Sequence, residues 1–190
     1  MEMSATQLEK TLIAIGCGCL AVVGIDFAQA ESFQHAASET LDRELMTPPM
    51  DVSGEKAASD AVANDGLIGR LEIPRFQVSV IVMEGDDNET LASAVGHVPG
   101  TALPWQAGNA VMAGHRDTFF RPVKDLREGD EIRITTARGV FAYRVTGTEI
   151  VEPDDVSVLA PTADRSLTLI TCYPFGYIGP APQRFIVHAR

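Results

Sequence analysis

A chain of 190 residues with 45% hydrophobic content is enough for one domain of ordinary size plus extensions. Its net charge of -11 is uneven: residues 31–65 hold eight acids and two bases, so the acidity belongs mostly to that segment. The twelve Lys and Arg residues of 66–190 are scattered, which sets nucleic-acid binding aside because phosphate recognition needs clustered cations.

After a short tail, residues 1–10, the segment 11–30 (TLIAIGCGCLAVVGIDFAQA) carries no charge before Asp26. Such a run must meet a membrane or a translocon. A single spanning anchor is the preferred reading, although the apolar stretch is short against the about 20 residues a bilayer requires. A signal peptide cleaved after Ala28-Gln29-Ala30 is the alternative, and a buried helix of a soluble domain is disfavoured because the run lacks a polar face. Orientation rests on Lys10 alone, a weak positive-inside signal. Cys17 and Cys19 would lie about 200° apart on a helix, so they read as apolar filler and not as a metal pair. Ile15 and Gly16 make a poor approach to a lipoprotein cleavage site at Cys17. Residues 31–65, rich in Ala, Ser and acids with a Pro-Pro pair, read as an acidic linker, partly helical at first, with His35 solvated.

From Gly66 the pattern changes to short β-rich runs. Strands are predicted at Leu67 to Ile73, Val78 to Met83, Ala110 to Ala113, Glu131 to Thr135, Val140 to Thr148, Leu167 to Thr171 and Arg184 to Ala189, separated by breakers such as Pro74, Gly85-Asp86 and Arg138-Gly139. One short helix is predicted at Thr90 to Val95, capped from Asp86 to Asn88 and stopped by Gly96, with His97 in the loop beyond it. Pro122 to Leu126 adds a single turn. Seven or eight strands in 125 residues define an all-β domain, a barrel or a sandwich, between which periodicity alone does not choose.

Cys172 closes a β-type run, Ser166 to Thr171, and is the one cysteine outside the N-terminal segment. It has no intrachain disulfide partner beyond the anchor, so a chemical role has to be weighed against burial as a small hydrophobe. An ordinary thiol has a pKa near 8.5 and is only a few per cent thiolate at neutral pH, so catalysis would need a neighbouring base. His115, 57 residues upstream at the end of another apolar run, is the candidate for proton transfer. Arg184, twelve residues downstream, presents a rigid fork of donors suited to an oxyanion or to peptide carbonyls. The bland readings are a Gly114-His115 turn and a surface ion pair at Arg184. His97 and His188 are rival imidazoles. A metal site from His97, His115 and Cys172 lacks any short ligand pair, and Glu149, Glu152, Asp154 and Asp155 read as a solvated acidic turn in preference to a calcium site. No cofactor is expected.

The run TLITCYPFGYIGPAPQRFIVHAR, residues 168–190, resembles the end of a sortase, with a T-L-x-T-C strand carrying the nucleophile and an arginine on the following strand. NAVMAGHRDTFF, residues 109–120, resembles that family's histidine segment, and IGRLEIPRFQVSVIVMEG, residues 68–85, its opening strands. The ending is most similar to class D sortases. The resemblance implies an eight-stranded β-barrel over residues 66–190 behind an N-terminal transmembrane helix and linker, with His115, Cys172 and Arg184 as active-site residues and Thr171 lining the peptide groove. It further implies cleavage of a C-terminal L-P-x-T-G or L-P-x-T-A signal after its threonine, a thioester on the cysteine, and transfer to an amine of a peptidoglycan precursor or a pilin lysine. Its partners would be surface proteins or pilins bearing that signal. The location implied is the bacterial cell membrane, single-pass, with the catalytic domain on the extracytoplasmic face. Two rivals remain: a hydrolytic cysteine peptidase that uses water as acceptor, and a non-catalytic anchored barrel that binds peptides or wall fragments.

Overall fold

The computed structural model describes residues 5–46 and 66–190. The remainder of the expected linker, residues 47–65, and the first four residues of the tail lie outside the described residues. A long helix, α1 (Ala5–Met46), precedes eight strands: β1 (Leu67–Ile73), β2 (Val78–Glu84), β3 (Val95–His97), β4 (Asn109–Ala113), β5 (Glu131–Thr136), β6 (Gly139–Val151), β7 (Ser166–Tyr173) and β8 (Gln183–Ala189). A short helix α2 (Asn88–Ser93) sits between β2 and β3. The strands close into a barrel in the order β1-β2-β3-β4-β7-β8-β6-β5. Closure removes the free sheet edges that a sandwich would leave.

The sequence pattern explains the walls. In β5 Ile132 and Ile134 are buried while Arg133 between them is exposed, the period-two alternation of a strand with one face on the core. In β7 residues 166–169 are all buried, because this strand is covered on both faces. Leu167 and Leu169 belong to the main core with Leu71, Ile73, Met112, Phe120, Tyr143 and Val187, each nearly inaccessible. Burial pushes the Tyr143 phenol up to about 12, and its hydroxyl donates to the Pro104 carbonyl at 3.2 Å.

One strand was hidden from the pattern. The helix predicted at Thr90 to Val95 is displaced toward the N-terminus as α2, capped by Asp87, whose carboxylate accepts from the Glu89 and Thr90 amides. Residues 95–97 form β3, so Gly96 does not stop a helix and His97 lies in a strand and not in a loop. Gly96 is needed there because a Cβ would fall 2.1 Å from the Gly85 carbonyl oxygen. Three residues are too few to show alternation.

The expected linker is helical at first: residues 31–46 form the second half of α1, and they dock on β1 and β2, which the sequence did not show. Phe33, Ala37 and Leu41, spaced by four, present one stripe; Leu41 is 1% exposed and packs with Leu67 and Ile81. Beside it, the Gln34 side chain accepts from the Ile81 amide at 2.9 Å and donates to the Ser93 carbonyl at 2.6 Å. The Ile81 amide lies one residue before the β2–β3 ladder begins, so a glutamine amide satisfies the backbone group that no strand reaches. Arg70 of β1 completes the contact, donating to Asp42 at 2.8 Å and to the Ser38 hydroxyl at 2.6 Å. The preceding half of α1 is exposed and apolar, and the helix is long and apolar enough to cross a membrane.

A fragment beginning at Glu31, which keeps the docked turns, is expected to resist urea better than one beginning at Gly66. Leu41→Ala in the longer fragment should remove about 2 kcal/mol or more. Equal unfolding midpoints for the two fragments would show that the docked turns contribute nothing.

Candidate active site

β7 lies between β4, to which it runs parallel, and β8, to which it runs antiparallel. In the β4–β7 ladder each residue faces the one 57 positions later, from Asn109 opposite Ser166 to Ala113 opposite Ile170. The Gly114 amide donates to the Ile170 carbonyl at 3.1 Å, which carries the pairing one step past β4. The same offset, continued to the next residue, aligns His115 with Cys172. On the other side Cys172 is the direct register partner of Arg184. Residues opposite each other in an antiparallel pair project from one face, with Cβ atoms about 4.5–5.5 Å apart. Three residues scattered over 70 positions therefore reach one level of the wall.

They open into a shared cavity of about 400 Å³ on the outer face of β7 and β8, with Ile170 and Ile186 as its floor. Cys172 is a free, partly accessible thiol, and His115 and Arg184 are partly accessible as well. Arg184 is held by its own loop, its Nη1 donating to the Ala181 and Gln183 carbonyls at 3.3 and 3.0 Å. Among the described residues no other protein acceptor engages this guanidinium. The connection from β6 to β7 forms an opposite wall through Glu152, Pro153, Asp155, Val156, Val158 and Leu159, while Leu91 and Val98 close one end. The cavity is thus mixed: Val158, Leu159, Ile170 and Ile186 give it aliphatic surface, while Asp86, Asn88, Glu152 and Asp155 line it together with the thiol, the imidazole and the guanidinium. Asp155 accepts from the Ser157 hydroxyl at 2.6 Å and from its amide at 3.0 Å, bonds that hold the carboxyl below the usual carboxylate range. This local cap is therefore present at neutral pH and is lost only as the pH falls through that lowered value.

Thr171 also borders the cavity, but its side chain is 2% exposed and its hydroxyl donates to the Gly114 carbonyl at 2.7 Å. Being one residue out of phase with Cys172, it points to the other face of β7 and ties down the residue before His115. Gly114 is required at this point: a Cβ would sit 2.8 Å from the ring of Phe120, a core residue. The turn after His115 is closed by the Phe120 amide donating to the His115 carbonyl at 3.1 Å. Arg116 next extends to the β7–β8 loop, its Nη2 donating to the Tyr177 and Gly179 carbonyls at 2.7 and 3.2 Å.

The rival groups are otherwise employed. His97 is 2% exposed, with Nδ1 2.7 Å from a Glu84 carboxylate oxygen and Nε2 3.0 Å from the Ala102 carbonyl. Both ring nitrogens are thereby taken up inside the wall. His188 pairs with Glu149 at 2.8 Å on the surface, and His35 lines a separate cavity of about 620 Å³ between α1 and the barrel. Among the described residues no group of three or more His, Cys, Asp or Glu side chains is placed to hold a metal ion.

Residues of this site that the sequence did not single out are Arg116, which supports the Gly114-His115 turn, and Asn109, at the start of β4. Asn109 lies 5% exposed beneath the β6–β7 connection, a polar residue at the head of an apolar run. That position was the one signal available.

A closed eight-stranded barrel with a cysteine, a histidine and an arginine converging on an outer-face groove defines a thiol acyl-transfer enzyme by class. The sortase domain model matches residues 71–190, and the chain belongs to the sortase family of cysteine transpeptidases. It is 36% identical over 151 residues to Sortase D of Bacillus subtilis, covering 75% of this chain and 76% of that protein, in keeping with the class D likeness of its C-terminal run. Sortase A of Listeria monocytogenes is 30% identical over 137 residues, 70% of this chain and 61% of that protein. Among solved structures, the Clostridium perfringens Sortase D5 transpeptidase superposes with a TM-score of 0.70 at 27% identity, covering 84% of this chain and 98% of that one.

Gly114→Ala is expected to destabilise the domain by about 1–3 kcal/mol through overpacking against Phe120. Chemical denaturation measures this, and an unchanged midpoint would mean that the ring moves aside freely.

Proposed function

We propose that this chain cleaves a C-terminal sorting signal of the L-P-x-T-G or L-P-x-T-A kind after its threonine and transfers the acyl part to an amine. The observation that carries this reading is that His115, Cys172 and Arg184 line one groove that also offers aliphatic surface. Ile170, Ile186, Val158, Leu159, Leu91 and Val98 offer an apolar surface for a leucine side chain upstream of the scissile bond.

The Cys172 thiolate attacks the threonine carbonyl carbon, and the carbonyl electron pair moves onto oxygen. Arg184 faces that oxygen, or the neighbouring substrate carbonyls, with donors its own loop leaves unused. As the intermediate collapses, the C–N bond breaks and the departing amine takes a proton from the His115 imidazolium. An acceptor amine then attacks the thioester, gives its proton to His115 and releases the thiolate. The acceptor is an amino group of a peptidoglycan precursor or a pilin lysine, and the clients are surface proteins or pilins carrying the signal. α1 anchors the enzyme as a single pass in the bacterial cell membrane, with the barrel on the extracytoplasmic face. The docked second half of α1 then holds the groove at a set attitude to that surface.

Turnover of a signal peptide by the purified full chain, with hydroxylamine or a glycine peptide as acceptor, tests the reading. Cys172→Ala should abolish product and His115→Ala nearly so. Arg184→Lys, which keeps the charge but not the planar fork, should lose on the order of 10²-fold. Persistent hydrolysis with no amine product would instead favour a cysteine peptidase, and a Lys variant with most of its turnover would remove the role given to Arg184.

A further inference from the structure

The β6–β7 connection forms one wall of the groove, yet it contains only a short 3₁₀ turn, Val156–Leu159, and Val156 is 71% exposed. Something must hold such a segment against the barrel. Its own bonds are local: the Asp155 cap on Ser157, and the Ala160 amide donating to the Ser157 carbonyl at 3.0 Å. At its start Glu152 accepts from Gln183 at 3.1 Å in an exposed contact that solvent weakens.

The buried tie is Asn109. From the outer face of β4 its Nδ2 donates to the Val158 carbonyl at 3.0 Å and to the Ala160 carbonyl at 3.3 Å. Its Oδ1 accepts from the Thr168 hydroxyl at 2.8 Å and, more weakly, from the Ser166 hydroxyl at 3.4 Å. The two carbonyls can only accept, so the amide orientation is fixed by its partners. Both donor hydrogens and both acceptor sites of one side chain are in use, in a place 5% exposed. Leaving the Val158 carbonyl unpaired there would carry the penalty of a buried orphan. Asn109 stands six residues before His115 on the strand that carries it to the groove, so one element positions both the imidazole and the facing wall.

We infer that Asn109 is a positioning residue for substrate recognition: through Val158 and Ala160 it sets the distance between the wall bearing Val158 and Leu159 and the floor bearing Ile170 and Ile186. It touches no reacting atom, and it therefore governs how an aliphatic side chain of the peptide is gripped, not the reactivity of Cys172. The claim deepens the transpeptidase reading and rests on it for the identity of the ligand.

The test uses the full chain in detergent and three readouts: steady-state kinetics with a signal peptide, alkylation of Cys172 by iodoacetamide, and hydrogen exchange of residues 156–160. Asn109→Asp keeps the shape and the acceptor side but cannot donate to the two carbonyls. It should raise KM about tenfold, equivalent to ~1.4 kcal/mol, with kcat within about twofold, an unchanged alkylation rate and faster exchange in 156–160. Thr168→Val removes only the hydroxyl partner, so it should cost stability while leaving KM and loop exchange close to those of the parent. Asn109→Gln, which restores the donors on a longer stem, should recover part of the loss. The inference is overturned if Asn109→Asp exchanges like the parent at 156–160. It is also overturned if kcat and alkylation fall together with KM unchanged, as in a generally loosened barrel. Should the parent fail to cleave any signal peptide, the functional reading fails, and the exchange experiment still decides whether Asn109 holds the wall.

Discussion

The pairing of β7 with β4 on one side and β8 on the other is the constraint on which the site depends. A parallel ladder with a constant offset of 57 and an antiparallel ladder that puts Arg184 opposite Cys172 leave little freedom in where the three side chains emerge. Because side chains alternate across a strand, a slip of one residue in either ladder would turn its partner to the core face. Burial pins the register: Leu167 and Leu169 inside and Ile170 under the groove cannot exchange faces without exposing core or burying polar groups. The hydroxyl of Thr171 on the Gly114 carbonyl and the Gly114 amide on Ile170 extend the β4–β7 alignment to the residue before His115. The geometry of the candidate site and the core packing are thus the same set of contacts seen from two faces of one wall.

The long helix adds a second constraint, on placement. Its docked turns are fastened by Leu41, Gln34 and the Arg70 contacts, which combine an apolar plug with polar bonds of fixed direction. At 1.5 Å per residue α1 is roughly 60 Å long, twice the about 30 Å of a bilayer core. A helix of that length serves as both a span and a strut.

Much of this was legible in the residues. The strand runs from Leu67 to Ile73 and around Ile132 and Ile134 follow from alternation, and the turns from their glycines and prolines. The family was legible in the T-L-I-T-C-Y-P-F run. The lone thiol and the histidine could be named because each stands at the end of a β-type run, and the arginine because its fork of donors opens the next one. What their order in the chain could not give was the parallel pairing of β4 with β7, since a strand carries no mark of its neighbour across the barrel. β3 was missed because three residues show no period, and its Gly96 reads as a helix stop when its real task is close approach to Gly85. The docked half of α1 was read as a partly helical spacer because acids mark its composition; its helix was legible, and its docking through Phe33, Ala37 and Leu41 was not. Thr171 borders the cavity with a hydroxyl already given to the Gly114 carbonyl, a cross-strand bond that the order of residues does not show. Asn109 gave almost no signal, for its importance lies in two carbonyls some 50 residues away.

The central claim is that barrel closure makes Cys172 an acyl-accepting nucleophile. The most direct measurement is intact and peptide-mapped mass spectrometry of the full chain after brief exposure to a signal peptide, with and without a hydroxylamine chase. The account predicts a mass gain equal to the peptide up to its threonine, located on the peptide containing Cys172 and removed by the chase. A chain that hydrolyses the peptide with the acyl group on another residue, or that carries no adduct at any time point, would contradict it.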